Sequence, residues 1–289
     1  MALKYVKTVL HLCALLISTQ SAAALWTINY PKPLDDSDAR AEYPIALLKL
    51  ALDKTGVNYE LLPSDRILLS GKALRQLREN REVNVVWSMT DSQREKDLLP
   101  IRIPIAKGLI GLRVFVINVD REAEFARVSS KNELMNFTPL QGEEWPDTKI
   151  LQANGFNVAT VPNFKDAYSL LLQNKGDFFP RSVIEVSAEL EGRSASLKLE
   201  PEMAVYYPTA MYYFVNKSNP TLARLIETGL NRAIEDGSFE ALFKSSNEAI
   251  LEQLDIKNRR IYTLDNPLLP SETPLADERL WYVIDKQRQ

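Results

Sequence analysis

The sequence predicts an α/β protein of two lobes, each a mostly parallel central sheet flanked by helices, with two crossovers joining them. Three observations predict it. Strand-like and helix-like segments alternate along the chain, which is the pattern of βα units. They fall into two groups of about three strands, linked near residues 106–113 and again near 208–216. The chain has 289 residues, 45% hydrophobic and 25% charged, enough for one large core or two smaller ones and unlike a disordered or fibrous composition.

The elements follow in order. Lys4 and Lys7 precede an apolar run over 9–17, and Ser21-Ala22-Ala23-Ala24 supplies small residues for cleavage, so residues 1–24 read as a secretory signal peptide. The chain's one His and one Cys, His11 and Cys13, lie inside it. The exported chain is then expected to lack both, which excludes a Ser-His-Asp or Cys-His unit, a Cys/His zinc site, a disulfide framework and an imidazole switch. Losing the two lysines takes the formal charge from −3 to −5. That acidity, with no concentrated basic run, argues against nucleic acid. No second apolar run is long enough to span a bilayer.

Residues 25–30 read as a strand. Pro44 opens a helix with Ile45, Leu47, Leu48, Ala51 and Leu52 on one stripe and Gly56 past its end. Strands are expected at 59–62 and 83–87 around a helix at 71–80, and a strong one at 112–118. In the middle, Ser130 and Glu133 suggest a capping box. A helix at 148–154 closes at Gly155, a strand covers 156–161, and a helical stripe from Phe164 ends at Gly176. A strand over 177–179 precedes a helix capped by Ser182 and Glu185. Strands return at 204–207 and 211–216, and Pro220 starts a long helix ending near Gly237. A proline-marked tail runs over 262–289.

Several stretches in this order resemble the type II periplasmic solute-binding proteins of family 3, the group that holds the polar amino-acid binders. Ser88-Met89-Thr90-Asp91-Ser92-Gln93-Arg94 resembles the family's Thr-rich segment ending in Arg, with one extra residue before the Arg. Leu171-Leu172-Gln173-Asn174-Lys175-Gly176-Asp177 resembles its second-lobe step from helix to strand. Asn216-Lys217-Ser218-Asn219-Pro220 through Asp236-Gly237-Ser238-Phe239 resembles its returning crossover and helix. Trp145-Pro146-Asp147-Thr148, Phe178-Phe179-Pro180-Arg181-Ser182 and Leu264-Asp265-Asn266-Pro267 look like a subgroup described only as substrate-binding-domain proteins.

The resemblance implies a periplasmic-binding-protein-like II fold. Lobe 1 is expected from 25–108 and 216–289, and lobe 2 from 109–215. It implies a periplasmic, monomeric, non-enzymatic protein without metal or cofactor. Such a protein captures a small molecule in the interlobe cleft and presents it to a membrane permease, as in an ABC transporter, or to a sensor protein. Arg94 is then expected to clamp a ligand carboxylate, with Ser88 and Thr90 adding hydroxyls. Trp145 offers a stacking face, and Tyr30 and Trp87 lie at strand ends where cleft walls are built. At Ser182 the family places an Asp that pairs with an α-ammonium. A hydroxyl preceded by Arg181 cannot replace it, so the expected ligand is a small polar anion rather than a standard α-amino acid. Two alternatives stay open: a small lyase or dehydratase on the same fold, with Glu143, Glu144 and Glu185 as its acid–base candidates, and a degenerate binding module for a membrane sensor.

Overall fold

The computed structural model describes residues 24–33, 39–162, 164–193 and 195–283. The expected leader, with His11 and Cys13, lies outside them except for Ala24.

The chain opens with β1 (Trp26–Lys32) and α1 (Glu42–Thr55), and returns in β2 (Tyr59–Ile67), parallel to β1 with Trp26 opposite Tyr59. α1 buries Leu47, Leu48, Ala51 and Leu52 of the stripe its sequence presents, leaves Ile45 half-buried, and stops at Gly56, whose φ of 74° is the left-handed cap. It begins two residues before Pro44, on the end of a 3-10 turn. Next come α2 (Ser70–Arg78), β3 (Val86–Met89), α3 (Ser92–Asp97) and β4 (Leu99–Ile101). β3 and β4 flank β11 (Met211–Val215), both antiparallel to it. Asn29 O accepts the N–H groups of Asn84 and Val85, which ties β1 to the segment entering β3.

The chain crosses at residues 102–111 into β5 (Leu112–Asn118), buried at every residue as its apolar sequence demands. α4 (Glu122–Phe125) and α5 (Lys131–Leu134) follow. Ser130 caps α5, but the Glu133 carboxylate takes the N–H of Ser129 rather than of Ser130, a capping box displaced by one residue. β6 (Leu140–Gly142) pairs in parallel with β7 (Ala159–Val161) across α6 (Pro146–Ala153). α7 (Phe164–Leu172), β8 (Phe178–Ser182), α8 (Val186–Leu190), β9 (Leu197–Leu199) and β10 (Met203–Tyr206) complete this part. β5 pairs antiparallel with β8, β9 and β10. After β11 the chain forms α9 (Pro220–Glu235), capped by Asn219, and α10 (Ser238–Gln253), then β12 (Arg260–Thr263) and a turn-rich segment with a 3-10 turn at Glu278–Leu280.

The expected mostly parallel sheets are mixed: β1–β2, β6–β7 and β10–β12 are parallel, and the other five pairings are antiparallel. The two strands beside the crossovers, β5 and β11, enter their sheets against the direction of the βα units. In addition, β12 does not stay with the first lobe. It pairs with β10 from Met203–Arg260 to Tyr206–Thr263 and extends the second sheet.

Candidate functional site

A cavity of about 1330 Å³ opens between the part that carries β1 to β4 and the part that carries β5 to β8. Arg94 enters it from α3. Asp91 caps that helix by accepting the Arg94 N–H at 2.8 Å, which turns the Arg94 side chain back over β3. There its Nη1 donates to Ser88 Oγ at 3.1 Å and to Met89 O at 2.6 Å, and its Nε lies 3.3 Å from the Asp91 carboxylate. Its Nη2 meets no partner among the described residues. The side chain is only 16% exposed. Burial holds the guanidinium below its ordinary value, against the pull of Asp91, Asp147 and Glu144.

The opposite wall holds two more arginines, and both are engaged. Arg113, on buried β5, donates from Nε to Tyr207 Oη at 2.9 Å and pairs with Asp147 at 2.7 Å and Glu185 at 3.6 Å. Tyr207 in turn donates to Asp147. Burial alone would lower the Arg113 guanidinium, but Asp147, Tyr207 and Glu185 outweigh it and raise it. Arg181, on β8, grips Glu189 with two bonds, Nε–Oε2 at 2.6 Å and Nη2–Oε1 at 2.5 Å, and reaches Glu185 at 3.1 Å. Burial works against this charge too, and the two glutamates overcome it. For Glu189, burial would raise the carboxyl, yet Arg181 and Arg40 hold it below the usual range. Tyr168 donates to the same carboxylate at 2.8 Å.

Trp145 lies nearly parallel to Phe179, ring centres 6.3 Å apart at 18°, and the Arg181 guanidinium sits 4.9 Å from the indole centre. The indole lies flat on Gly142, where a Cβ would come within 2.5 Å of it. On the first wall the lining charges are Lys32, Arg40, Lys72, Arg75, Arg78 and Arg94 against Glu42 and Asp97. Among the described residues no cluster of three His, Cys, Asp or Glu is placed to hold a metal ion, and no helix is long and apolar enough to cross a membrane.

No family model and no curated protein matches the sequence. Solved structures do match. The periplasmic VFT2 domain of Bordetella pertussis BvgS aligns with a TM-score of 0.59 at 16% identity, covering 77% of this chain and 93% of that one. A Salmonella typhimurium periplasmic binding protein of high arginine specificity aligns at 0.57 and 13%, covering 77% and 99%. The ligand-binding core of GluR0 from Nostoc punctiforme, in complex with L-glutamate, aligns at 0.52 and 15%, covering 76% and 98%. The chain has the fold of the two-lobed periplasmic binding proteins.

In this two-lobed fold the cavity lies between the lobes. Of the residues expected there from sequence, Trp87, Ser88, Arg94, Trp145 and Arg181 line it. The other three stand behind its walls. Thr90 is fully buried and donates to Glu95 at 2.7 Å. Ser182 is fully buried in β8 and donates to Leu109 O at 3.1 Å, so it caps no helix; α8 starts at Val186, and its N-cap residue Glu185 makes no side-chain cap. Tyr30 is half-buried, 6.3 Å from Trp87 ring to ring. Arg181 lines the cleft with its charge already matched. Asp147, the second residue of α6, serves Arg113. Arg113, Tyr207 and Glu189 were not anticipated. The signal for Arg113 was present: an arginine inside the apolar run Leu112–Asn118 must be buried, and a buried charge needs a partner.

Proposed function

We propose that this protein is a non-enzymatic, periplasmic solute-binding protein that captures a small polar anion in the interlobe cleft. In this reading it works as a monomer and hands the ligand, or the closed state, to a membrane permease or sensor protein. The observation that carries the ligand class is the contrast among the cleft charges. Asp147 and Glu185 are matched by Arg113 and Arg181, and Glu189 by Arg181, whereas Arg94 keeps Nη2 without a partner among the described residues. The hydrogen-bonding capacity left unused on the cleft's arginines is a donor, Arg94 Nη2, although the Arg94 charge itself is paired with Asp91. A ligand ammonium would find Glu185 already flanked by two guanidiniums, and at position 182 a buried hydroxyl. The same engagement of Glu185 supports binding rather than acid–base chemistry. Lobe 1 is assigned to 25–108 with 216–259 and lobe 2 to 109–215, with β12 added to the second sheet.

A thermal-shift screen followed by calorimetry tests the ligand class, with small mono- and dicarboxylates and phosphate esters set against arginine, lysine and glutamate. A true ligand at a hundredfold over its Kd stabilises by about 2.7 kcal/mol. Micromolar binding of an α-amino acid, with none of any simple anion, overturns the anionic assignment.

A further inference from the structure

The geometry points to residues 264–283 as a built-in brace across the hinge that sets the balance between open and closed lobes. The segment touches both lobes and both crossovers in turn. It leaves the second lobe with Leu264, which is buried in that lobe's core and donates to Tyr206 O at 2.8 Å. Asp265 then exchanges two hydrogen bonds with Asn154 at the end of α6, at 2.7 and 3.0 Å. Asn266 donates to Pro208 O at 2.9 Å, on the returning crossover. Leu268 O accepts from both the N–H and the hydroxyl of Ser92, at the first turn of α3 in the first lobe. The segment closes on itself where Trp281 Nε1 donates to Pro274 O at 2.8 Å.

Its end engages the outgoing crossover. Lys107 and Gly108 are consecutive residues with positive φ, 47° and 78°, a backbone region uncommon for Lys107 and freely open to Gly108. Trp281 covers Gly108 so closely that a Cβ there would lie 2.6 Å from the indole. The Tyr282 N–H donates to Lys107 O at 2.8 Å, and its ring lies 6.2 Å from Phe243 on α10. Lys107 is also fixed to the first lobe through Glu240 at 2.5 Å. Hinges work by absorbing large φ/ψ changes in a few residues. Here the carbonyls of Lys107 and Pro208, one on each crossover, are both held by the same segment. Any rotation of the lobes that turns those peptides must break or remodel its contacts.

The inference rests on the binding reading only in supposing that the lobes move, and its test needs no ligand. In a Cys13→Ser background, Glu79→Cys and Lys175→Cys provide the only thiols, one exposed on each lobe, for spin labels read by pulsed dipolar spectroscopy. The intact chain is expected to give one narrow distance. Trp281→Ala, and a chain ended after Leu264, are expected to broaden it or add a second distance, whereas Trp281→Phe leaves it unchanged. Should the shortened chain not fold, Trp281→Ala and Asn266→Ala together decide the matter. An unchanged distance distribution in folded variants, with only the melting temperature lowered, overturns the brace and leaves the segment a static support. Failure of the anion screen would leave this result untouched.

Discussion

Arg94 and Glu189 do opposite work with the same chemistry. Arg94 is drawn out of water with part of its fork unused, so removing it costs recognition more than stability. Arg94→Ala is expected to weaken binding of whichever anion the screen returns by roughly 10–100-fold, the equivalent of a charge-assisted bond of about 1.5–3 kcal/mol. Calorimetry reads the loss, and a melting temperature close to the parent's separates it from misfolding. Glu189 is matched from every side by Arg181, Arg40 and Tyr168. Glu189→Ala would leave the buried Arg181 with Glu185 as its remaining carboxylate and is expected to destabilise by about 1–3 kcal/mol in urea unfolding. The pH dependence has a fixed sign. The folded-state carboxyl is held below its unfolded value, so its contribution is complete above the unfolded pKa and is lost as pH falls through the lower folded one. Glu189→Gln should therefore flatten the acid limb of stability, read as the urea midpoint from about pH 5 downwards. Sequence reasoning reached Arg94, Ser88, Trp87, Trp145 and Arg181 because local order and resemblance carry them. It missed the Arg113–Asp147–Tyr207 cluster because burial can be read from one strand, whereas partners remote in sequence cannot.

The packing of α1 on α9 shows where pattern reading ends. Both helices were legible, α1 from its stripe and the cap at Gly56, and α9 from Pro220 at its start. Gly229 in the middle of α9 was not, because a glycine there weakens an isolated helix and gives no reason for itself. The reason lies on α1: a Cβ at Gly229 would fall inside the Ala51 carbonyl, so the glycine is what lets the two helices meet. Arg232 seals the same contact by donating to Lys54 O at 2.8 Å. Two effects oppose each other in Gly229→Ala. Helix propensity favours alanine by about 1 kcal/mol, while overpacking against backbone costs about 1–3 kcal/mol or more. The clash wins, and a lower melting temperature by circular dichroism is expected. β6, β9 and β12 escaped prediction because three or four residues show no period. α10 escaped because Gly237 marks the end of α9, as expected, and is also the N-cap of the next helix, in the left-handed region at φ 80°.

Across the cleft, charge draws the lobes together independently of any ligand. The first wall is predominantly basic, and the second-lobe loop before α6 carries Glu143 and Glu144. Two ion pairs span the gap, Arg75–Glu144 at 3.6 Å and Arg40–Glu189 at 3.4 Å. They are not equivalent. Arg75 and Glu144 are 52% and 69% exposed, so solvent and salt leave that pair at most about 1 kcal/mol. Glu189 is only 2% exposed and Arg40 22%, so their attraction is screened far less. Raising salt shortens the Debye length from about 30 Å at 0.01 M to about 3 Å at 1 M. It should erase the contribution of the rim pair first and leave the inner one. Small-angle scattering on the ligand-free protein is therefore expected to show a modest rise in radius of gyration with salt. Glu144→Gln should abolish most of that salt dependence. Arg40→Ala should give a larger radius at low salt while leaving a salt-dependent remainder. If Glu144→Gln leaves the salt response intact, the rim charges do not hold the lobes, and the hinge segment alone sets their separation.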